Sequence, residues 1–415
     1  MIAHHALFLA LFVGTTGFFT VLAALNVRHG ERAVAERREW VGDRLGVEDV
    51  DKLLDYHRLT TGASLLRQWL TVGAVLLVLY SGALAAVVAG VRETGLAPLA
   101  QGVAFFALVI VAYVVASLPL DAFDTFGIEE AFGFNRQSIG LWLRDKVLGT
   151  AVSLAISLPL VAAVLWLLEA FPTYWWVAAL ALYAVFAAVM QVLLPRVIMP
   201  LFYDFEPIEA GELRDAVESV FDRAGFSCEE IYTMDASRRS SHSNAFFAGF
   251  GRTKRVVLFD TLIDQMDERE IQGVLAHELA HWKRHHVWKQ LAGSLVRIGA
   301  ALAVANWLIG QPWLAGLFGV PDVAYAELLL AVLWLAPLLE LTAPVENWLS
   351  LRHEREADDF AAEVMGSGRP LVDALCKLTG ENLSNPFPHP AYATWHYTHP
   401  PVPERIRRLT EDDAA

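Results

Sequence analysis

His277-Glu278-Leu279-Ala280-His281 is the segment of this 415-residue chain best equipped for chemistry. On a helix, residues i and i+4 share a face, so both imidazoles can reach one metal ion. Glu278 stands beside them, placed to take a proton from a water that the metal holds. This geometry makes H-E-x-x-H the signature of zinc-dependent peptide hydrolysis. Asp267, with Glu270 three residues on, reads as the N-cap of the helix that carries the motif. A hydrolytic zinc site needs a third protein ligand and one open position for water. Ser350-Leu351-Arg352-His353-Glu354-Arg355-Glu356-Ala357-Asp358-Asp359-Phe360-Ala361 offers candidates. Glu354 and Asp358 lie i to i+4 on one face, so one can ligate while the other orients a ligand histidine. The plainer reading of that helix is a solvated amphipathic surface with ordinary ion pairs. His285 and His286 extend the motif, but histidines at i, i+4 and i+8 drift round the axis. Both therefore read as interfacial or supporting groups.

The elements that must position these residues belong to a membrane protein. Apolar residues make up 55 % of the chain and charged residues only 19 %, with a mean hydropathy of +0.41. A soluble domain is about a quarter charged. The 46 acidic and 32 basic side chains, net −14, argue against a nucleic-acid partner. Two distant cysteines, Cys228 and Cys376, provide no disulfide framework. Seven apolar stretches reach the ~20 residues that cross a bilayer, near 5–26, 70–91, 99–120, 148–170, 174–199, 287–318 and 325–348. The first lacks the basic flank and short apolar core of a cleaved signal and reads as an anchor.

Lysine and arginine set the orientation. The segment after the first stretch carries Arg28, Arg32, Arg37, Arg38, Arg44, Lys52, Arg58 and Arg67; the loop before the fourth carries Arg136, Arg144 and Lys146. The loops on the other side hold only Arg92. The expected arrangement has the N-terminus outside, with the C-terminus and the site on the cytoplasmic side. Charged residues flank the HExxH segment on both sides, which places it at the membrane face rather than inside a span. The expected organisation is a membrane region over 1–200, a zinc-peptidase segment over 201–286, spans six and seven over 287–348 and a cytoplasmic segment over 349–415. Within 201–286, a helix from Glu212 to Ala224 ends at Gly225, and β-like runs cover Glu230 to Met234 and Arg255 to Phe259. Between them, Ser240 to Gly251 alternates loosely and reads as part of a hairpin or small sheet. The fold class is mainly α: a polytopic membrane protein with seven transmembrane helices and a cytoplasmic α+β zincin-like subdomain.

Specific motifs carry a family resemblance over nearly the whole chain. They are Leu54-Asp55-Tyr56, Ile128-Glu129-Glu130, Gly133-Phe134-Asn135, Pro200-Leu201-Phe202, His242-Ser243-Asn244-Ala245 and Leu258-Phe259-Asp260-Thr261-Leu262. His277 to Lys283, Glu354 to Asp358 and Thr398-His399-Pro400 complete the set. Together they resemble the Ste24 type of integral-membrane zinc protease, the CAAX prenyl protease 1 branch of the M48 peptidases. Ala280 stands where that family usually has Gly, and Leu351 replaces an Arg; both lie outside the ligand set. The resemblance implies one Zn2+ per chain held by His277, His281 and Glu354, with Asp358 supporting from behind. It also implies a water-filled chamber enclosed by seven helices. Glu340 and Glu346, costly in lipid, would then face the interior. Glu129 and Glu130 fit either the chamber's mouth or a helix end.

On that reading, Glu278 accepts a proton from water and passes it to the leaving amine. His399 is the candidate second donor to the oxyanion, with His396 and His389 as rivals; otherwise His399 is a turn residue before Pro400. The strand Val256 to Phe259 and the segment Ser243 to Phe247, with Val256, Val257, His242 and Asn244 as the contact residues, are expected to present an edge to which an extended peptide adds as a strand; an ordinary hairpin packed on the HExxH helix is the alternative. The expected activity is endoproteolysis of membrane-associated proteins, with CAAX-type cleavage after a prenylated cysteine. A general quality-control protease without prenyl specificity, and a structural-zinc scaffold or transporter, are the alternatives. Expected partners are a peptide or protein substrate and the lipid bilayer, and the chain is expected to act as a monomer.

Overall fold

The computed structural model describes residues 1–227, 230–248 and 255–411. Cys228 and the Gly249, Phe250 and Gly251 end of the expected hairpin lie outside them. Among the described residues, seven helices are long and apolar enough to cross a membrane: Ile2–Glu36, Val50–Tyr80, Pro98–Phe132, Ile139–Ala170, Trp175–Leu201, His286–Ile309 and Ala324–Leu341. Each matches one apolar stretch, but several boundaries differ for local reasons. The second helix starts earlier than expected because Asp49 caps it, accepting from the backbone N–H groups of Asp51 and Lys52. It ends at Tyr80 rather than running on to 91. Gly82 takes φ +82°, in the left-handed region, and a separate helix Ala83–Glu93 follows. The sixth stops at Ile309, with Trp313–Gly316 as a short helix beyond.

The seventh span ends at Leu341, and a new helix, Ala343–Met365, carries the chain to the site. Pro344, near its start, has no N–H to donate back to Glu340, so the turn cannot continue unbroken. Glu346 therefore lies on this helix and not on span seven, where it pairs with Arg297 of span six at 2.8 Å.

Buried apolar side chains concentrate at the two ends of the bundle. At one end, Phe8, Leu79, Phe105, Leu165, Trp175, Leu314 and Trp334 pack together. The first five come alternately from the beginnings and ends of successive spans, as up-and-down threading requires, while Leu314 follows span six and Trp334 lies within span seven. At the other end, a second core joins Val34, Leu53, Val217, Ile231, Val256, Leu275, Leu279 and Leu371. Between the ends the third, fourth and fifth spans bury almost nothing. They form a single wall rather than a close-packed core.

The second core is built around a small sheet. Its strands are β1 (Phe205–Pro207), β2 (Glu230–Met234), β3 (Ala245–Ala248) and β4 (Arg255–Phe259). The order is β1-β2-β4-β3, with β2 and β4 parallel and the other pairs antiparallel. Of these, β1 has no counterpart in the expected elements. The HExxH helix, Glu268–Lys283, lies on the sheet between Ala343–Met365 and a further helix, Arg369–Glu381. Its start is a full capping box: Asp267 accepts from the Glu270 N–H at 2.9 Å, and Glu270 accepts from the Asp267 N–H at 2.8 Å. Gly273 lets this helix touch the next. A Cβ there would stand 2.7 Å from the Leu371 nitrogen and 2.8 Å from the Pro370 carbonyl carbon.

Candidate metal centre

The HExxH helix and Ala343–Met365 cross so that three side chains converge. His277 Nε2 lies 3.3 Å from Glu354 Oε2, and His281 Nε2 lies 3.2 Å from Glu354 Oε1. The two imidazole Nε2 atoms are 3.3 Å apart. With metal–ligand bonds of about 2.0–2.1 Å, the corners of a tetrahedron lie roughly 3.3 Å apart. These three residues form the one group of metal-capable ligands found among the described residues. Glu354 Oε2 is buried without a hydrogen bond of its own, with only the imidazoles of the cluster near it. The donor set, spacing and orphaned oxygen all fit a divalent cation.

Behind the trio, each histidine is held through its other nitrogen. His277 Nδ1 lies 2.9 Å from Asp358 Oδ1. Donation of its proton there leaves the Nε2 lone pair facing the cluster. Arg405, from the C-terminal helix Val402–Glu411, donates through Nε to Asp358 Oδ2 at 2.9 Å and through Nη2 to Oδ1. Asp358 and Arg405 are both buried. His281 Nδ1 faces His286 Nδ1 at 3.1 Å.

Electrostatics follow from this enclosure. Burial opposes a charge on His277, but its contacts with Asp358 and Glu354 outweigh that and raise its pKa to about 9. Burial likewise opposes the charge on Glu354, yet His277 and His281 hold its carboxyl far below the ordinary range. For Asp358, burial is outweighed by His277 and Arg405, and its pKa falls. Glu278 moves the other way: burial raises its pKa, against the pull of the two histidines. Its carboxylate makes no hydrogen bond or ion pair among the described residues. It is an unengaged base beside the trio, the state a proton acceptor needs.

His399 is also brought to the cluster, its Nε2 3.4 Å from Glu354 Oε2 on a side chain 60 % exposed. Its rivals go elsewhere. His389 caps the helix Pro390–His396, and His396 stacks on Tyr392. His285 is exposed and turns the chain with φ +58°, whereas His286 is fully buried.

Of the expected substrate edge, the part on Val256 to Phe259 needs correction, whereas Ser243 to Phe247 runs into the edge strand β3. β4 is bonded on both sides, to β2 and to β3, and Val256 and Val257 are completely buried. No strand can be added there; the open edge beside it belongs to β3. Asn244, just before β3, is exposed, but its side-chain oxygen accepts from the Ala245 N–H. His242 bridges Asn382, at 2.8 Å, and Glu129, at 3.2 Å, and stacks on Phe134. Glu129 also accepts from the Tyr56 hydroxyl at 2.7 Å. Glu129 and His242 thus tie the membrane helices to the sheet. Glu130 accepts from Asn135 Nδ2 at 2.7 Å and sits at a helix end.

Sequence reasoning passed over Arg405. Its signal was a cation on an apolar stripe: Val402, Ile406 and Leu409 share the same helix face.

The sequence model of peptidase family M48 matches residues 207–413, and that of the CAAX prenyl protease N-terminal region, five membrane helices, matches 32–204. The chain is 35 % identical to the CAAX prenyl protease 1 homolog of Arabidopsis thaliana over 312 residues, covering 72 % of this chain and 71 % of that protein. It is 32 % identical to CAAX prenyl protease 1 of Saccharomyces cerevisiae, over 77 % of this chain and 74 % of that one. The human CAAX prenyl protease 1 homolog is 30 % identical, over 74 % of this chain and 73 % of its own. In three dimensions the fold superposes on the crystal structure of Ste24p from S. mikatae with a TM-score of 0.87 at 26 % identity, covering 97 % of this chain and 98 % of that chain.

Proposed function

The chain belongs to peptidase family M48 as an integral-membrane metallopeptidase of the CAAX prenyl protease type, and we propose that it is a zinc endopeptidase cutting near the C-termini of membrane-anchored proteins. The observation that carries this reading is the trio His277, His281 and Glu354, spaced 3.2–3.3 Å apart with the unengaged Glu278 alongside. Two imidazoles and one carboxylate, with a position left for water, form a catalytic zinc set rather than a closed structural one.

The metal, when bound, polarises the scissile carbonyl and acidifies water. The chain's own residues supply the rest. Asp358, locked by Arg405, keeps His277 in the tautomer that presents Nε2. Glu278 takes the proton from the attacking water and returns it to the leaving amine. Burial, which raises its proton affinity, makes it the better acceptor. His399 Nε2 reaches the same space from the exposed side and can donate to the oxyanion that forms. The open edge of β3, beside the HExxH helix, can receive an extended peptide.

The low burial along spans three to five is consistent with a chamber between the two packed ends, which a substrate would enter from the membrane side. The basic residues that cluster on one side of the spans support a cytoplasmic site with the N-terminus outside. The names of the relatives support CAAX-type substrates, with cleavage after a prenylated cysteine. The test is to incubate purified monomeric protein with a farnesylated CAAX peptide and its unprenylated twin. Preferential release of the last three residues from the farnesylated peptide is expected. Equal cutting of both would replace this reading with a general membrane protease.

A further inference from the structure

The two metal-facing histidines are held from behind by different partners. His277 has the carboxylate of Asp358, whereas His281 has another imidazole. The HExxH helix stops at Lys283, and His285 takes φ +58°, which bends the chain and starts span six at His286. That bend returns the His286 ring beneath His281, with Nδ1 facing Nδ1 at 3.1 Å. Two ring nitrogens at this distance require one donor and one acceptor. If His281 Nε2 presents its lone pair to the cluster, its proton sits on Nδ1 and His286 Nδ1 must accept it. The proton of His286 is then on Nε2, which lies 3.3 Å from Glu356 Oε2. Glu356 is steadied in turn by Arg352 Nε at 3.3 Å and Lys289 Nζ at 3.9 Å. His353, next to Glu354 in sequence, stacks on the His286 ring with centroids 4.3 Å apart and planes at 13°. His286 itself is fully buried.

We propose that His286 is a positioning residue of the metal centre, which accepts the Nδ1 proton of His281 and passes the alignment to Glu356. It ties the first turn of span six to the ligand set, so a shift of that helix would reach the metal without touching its ligands. The inference rests on the metal reading given above.

The experiment is metal binding rather than turnover. Metal-free His286→Phe and His286→Gln are titrated with zinc against a chromophoric chelator and loaded with cobalt for its electronic spectrum. Phe keeps the stacking on His353 but cannot accept a proton; Gln restores an acceptor and a donor. Loss of such supporting partners weakens metal binding by about 10–100-fold. His286→Phe is expected to show that loss and an altered cobalt spectrum, and His286→Gln to recover most of the affinity. Melting of the metal-free proteins shows that both variants fold. If Phe binds zinc like the wild type, or if Gln and Phe are equally impaired, the proposal is overturned. Glu354→Ala separates the two levels. Metal lost there but kept in His286→Phe overturns this inference alone; metal kept in Glu354→Ala overturns the centre on which it rests.

Discussion

Asp358 accepts the Nδ1 proton of His277 at 2.9 Å while Arg405 grips both its oxygens, inside a region that excludes water. A carboxylate alone in that position would be costly to bury; the arginine makes it affordable, and the pair fixes the imidazole. The link joins the HExxH helix, the helix of Glu354 and the last described helix of the chain.

Removing Arg405 leaves Asp358 as a buried charge without its main partner. Arg405→Ala should lose about 3–5 kcal/mol of stability and weaken metal binding by about 10–100-fold. Arg405→Lys keeps the charge but not the two-pronged grip and should fall between. Thermal melting and chelator competition check both; an Arg405→Ala protein that binds metal normally would remove Arg405 from the support of His277.

Metal uptake should depend on pH through His277. With no metal its pKa is raised to about 9, so the site carries a proton there at neutral pH that a cation must displace. Apparent affinity should therefore rise about tenfold per pH unit up to about pH 9 and then level off. For the metal-free protein the sign is opposite. A raised pKa stabilises the fold fully below the unfolded value of about 6.5, and that stabilisation fades as pH climbs through about 9. Titrations from pH 6 to 10, with melting of the metal-free form alongside, test both slopes.

Gly273 marks the closest approach between the HExxH helix and the helix that begins at Arg369. Gly273→Ala would gain helix propensity in isolation, yet its Cβ meets the backbone at Pro370 and Leu371, which cannot yield as a side chain can. The net effect should be a loss of about 1–3 kcal/mol. An unchanged or raised melting temperature would show that the two helices can separate freely.

Glu278→Gln preserves shape and removes the base. Metal content should be unchanged while peptide turnover drops by about 10²–10⁴-fold. Mass-spectrometric detection of product against time gives the rate, and near-normal turnover would assign proton transfer elsewhere.

Much of the candidate site was legible because it is local: His277, Glu278 and His281 lie on one helix turn, and Glu354 and Asp358 on another. The seven spans were legible for a related reason, since an unbroken apolar run is a property of the sequence itself. What escaped depends on tertiary pairing. Val256 and Val257 read as an edge because alternation does not reveal that β2 pairs with β4 in parallel across the intervening β3. Arg405 escaped because its partner comes from elsewhere in the fold, and His286, legible as an interfacial or supporting group, gave no sign that its ring would face His281 across a chain bend. The helix breaks at Gly82 and Pro344 were visible as residue types, but both lie within stretches apolar enough to read as continuous spans.

The central claim is that Glu354 completes a zinc site with His277 and His281. Metal analysis of the purified Glu354→Ala protein beside the wild type tests it most directly. The expected result is about one zinc per chain in the wild type and almost none in the variant, with both folded. Equal zinc in the two proteins would contradict it.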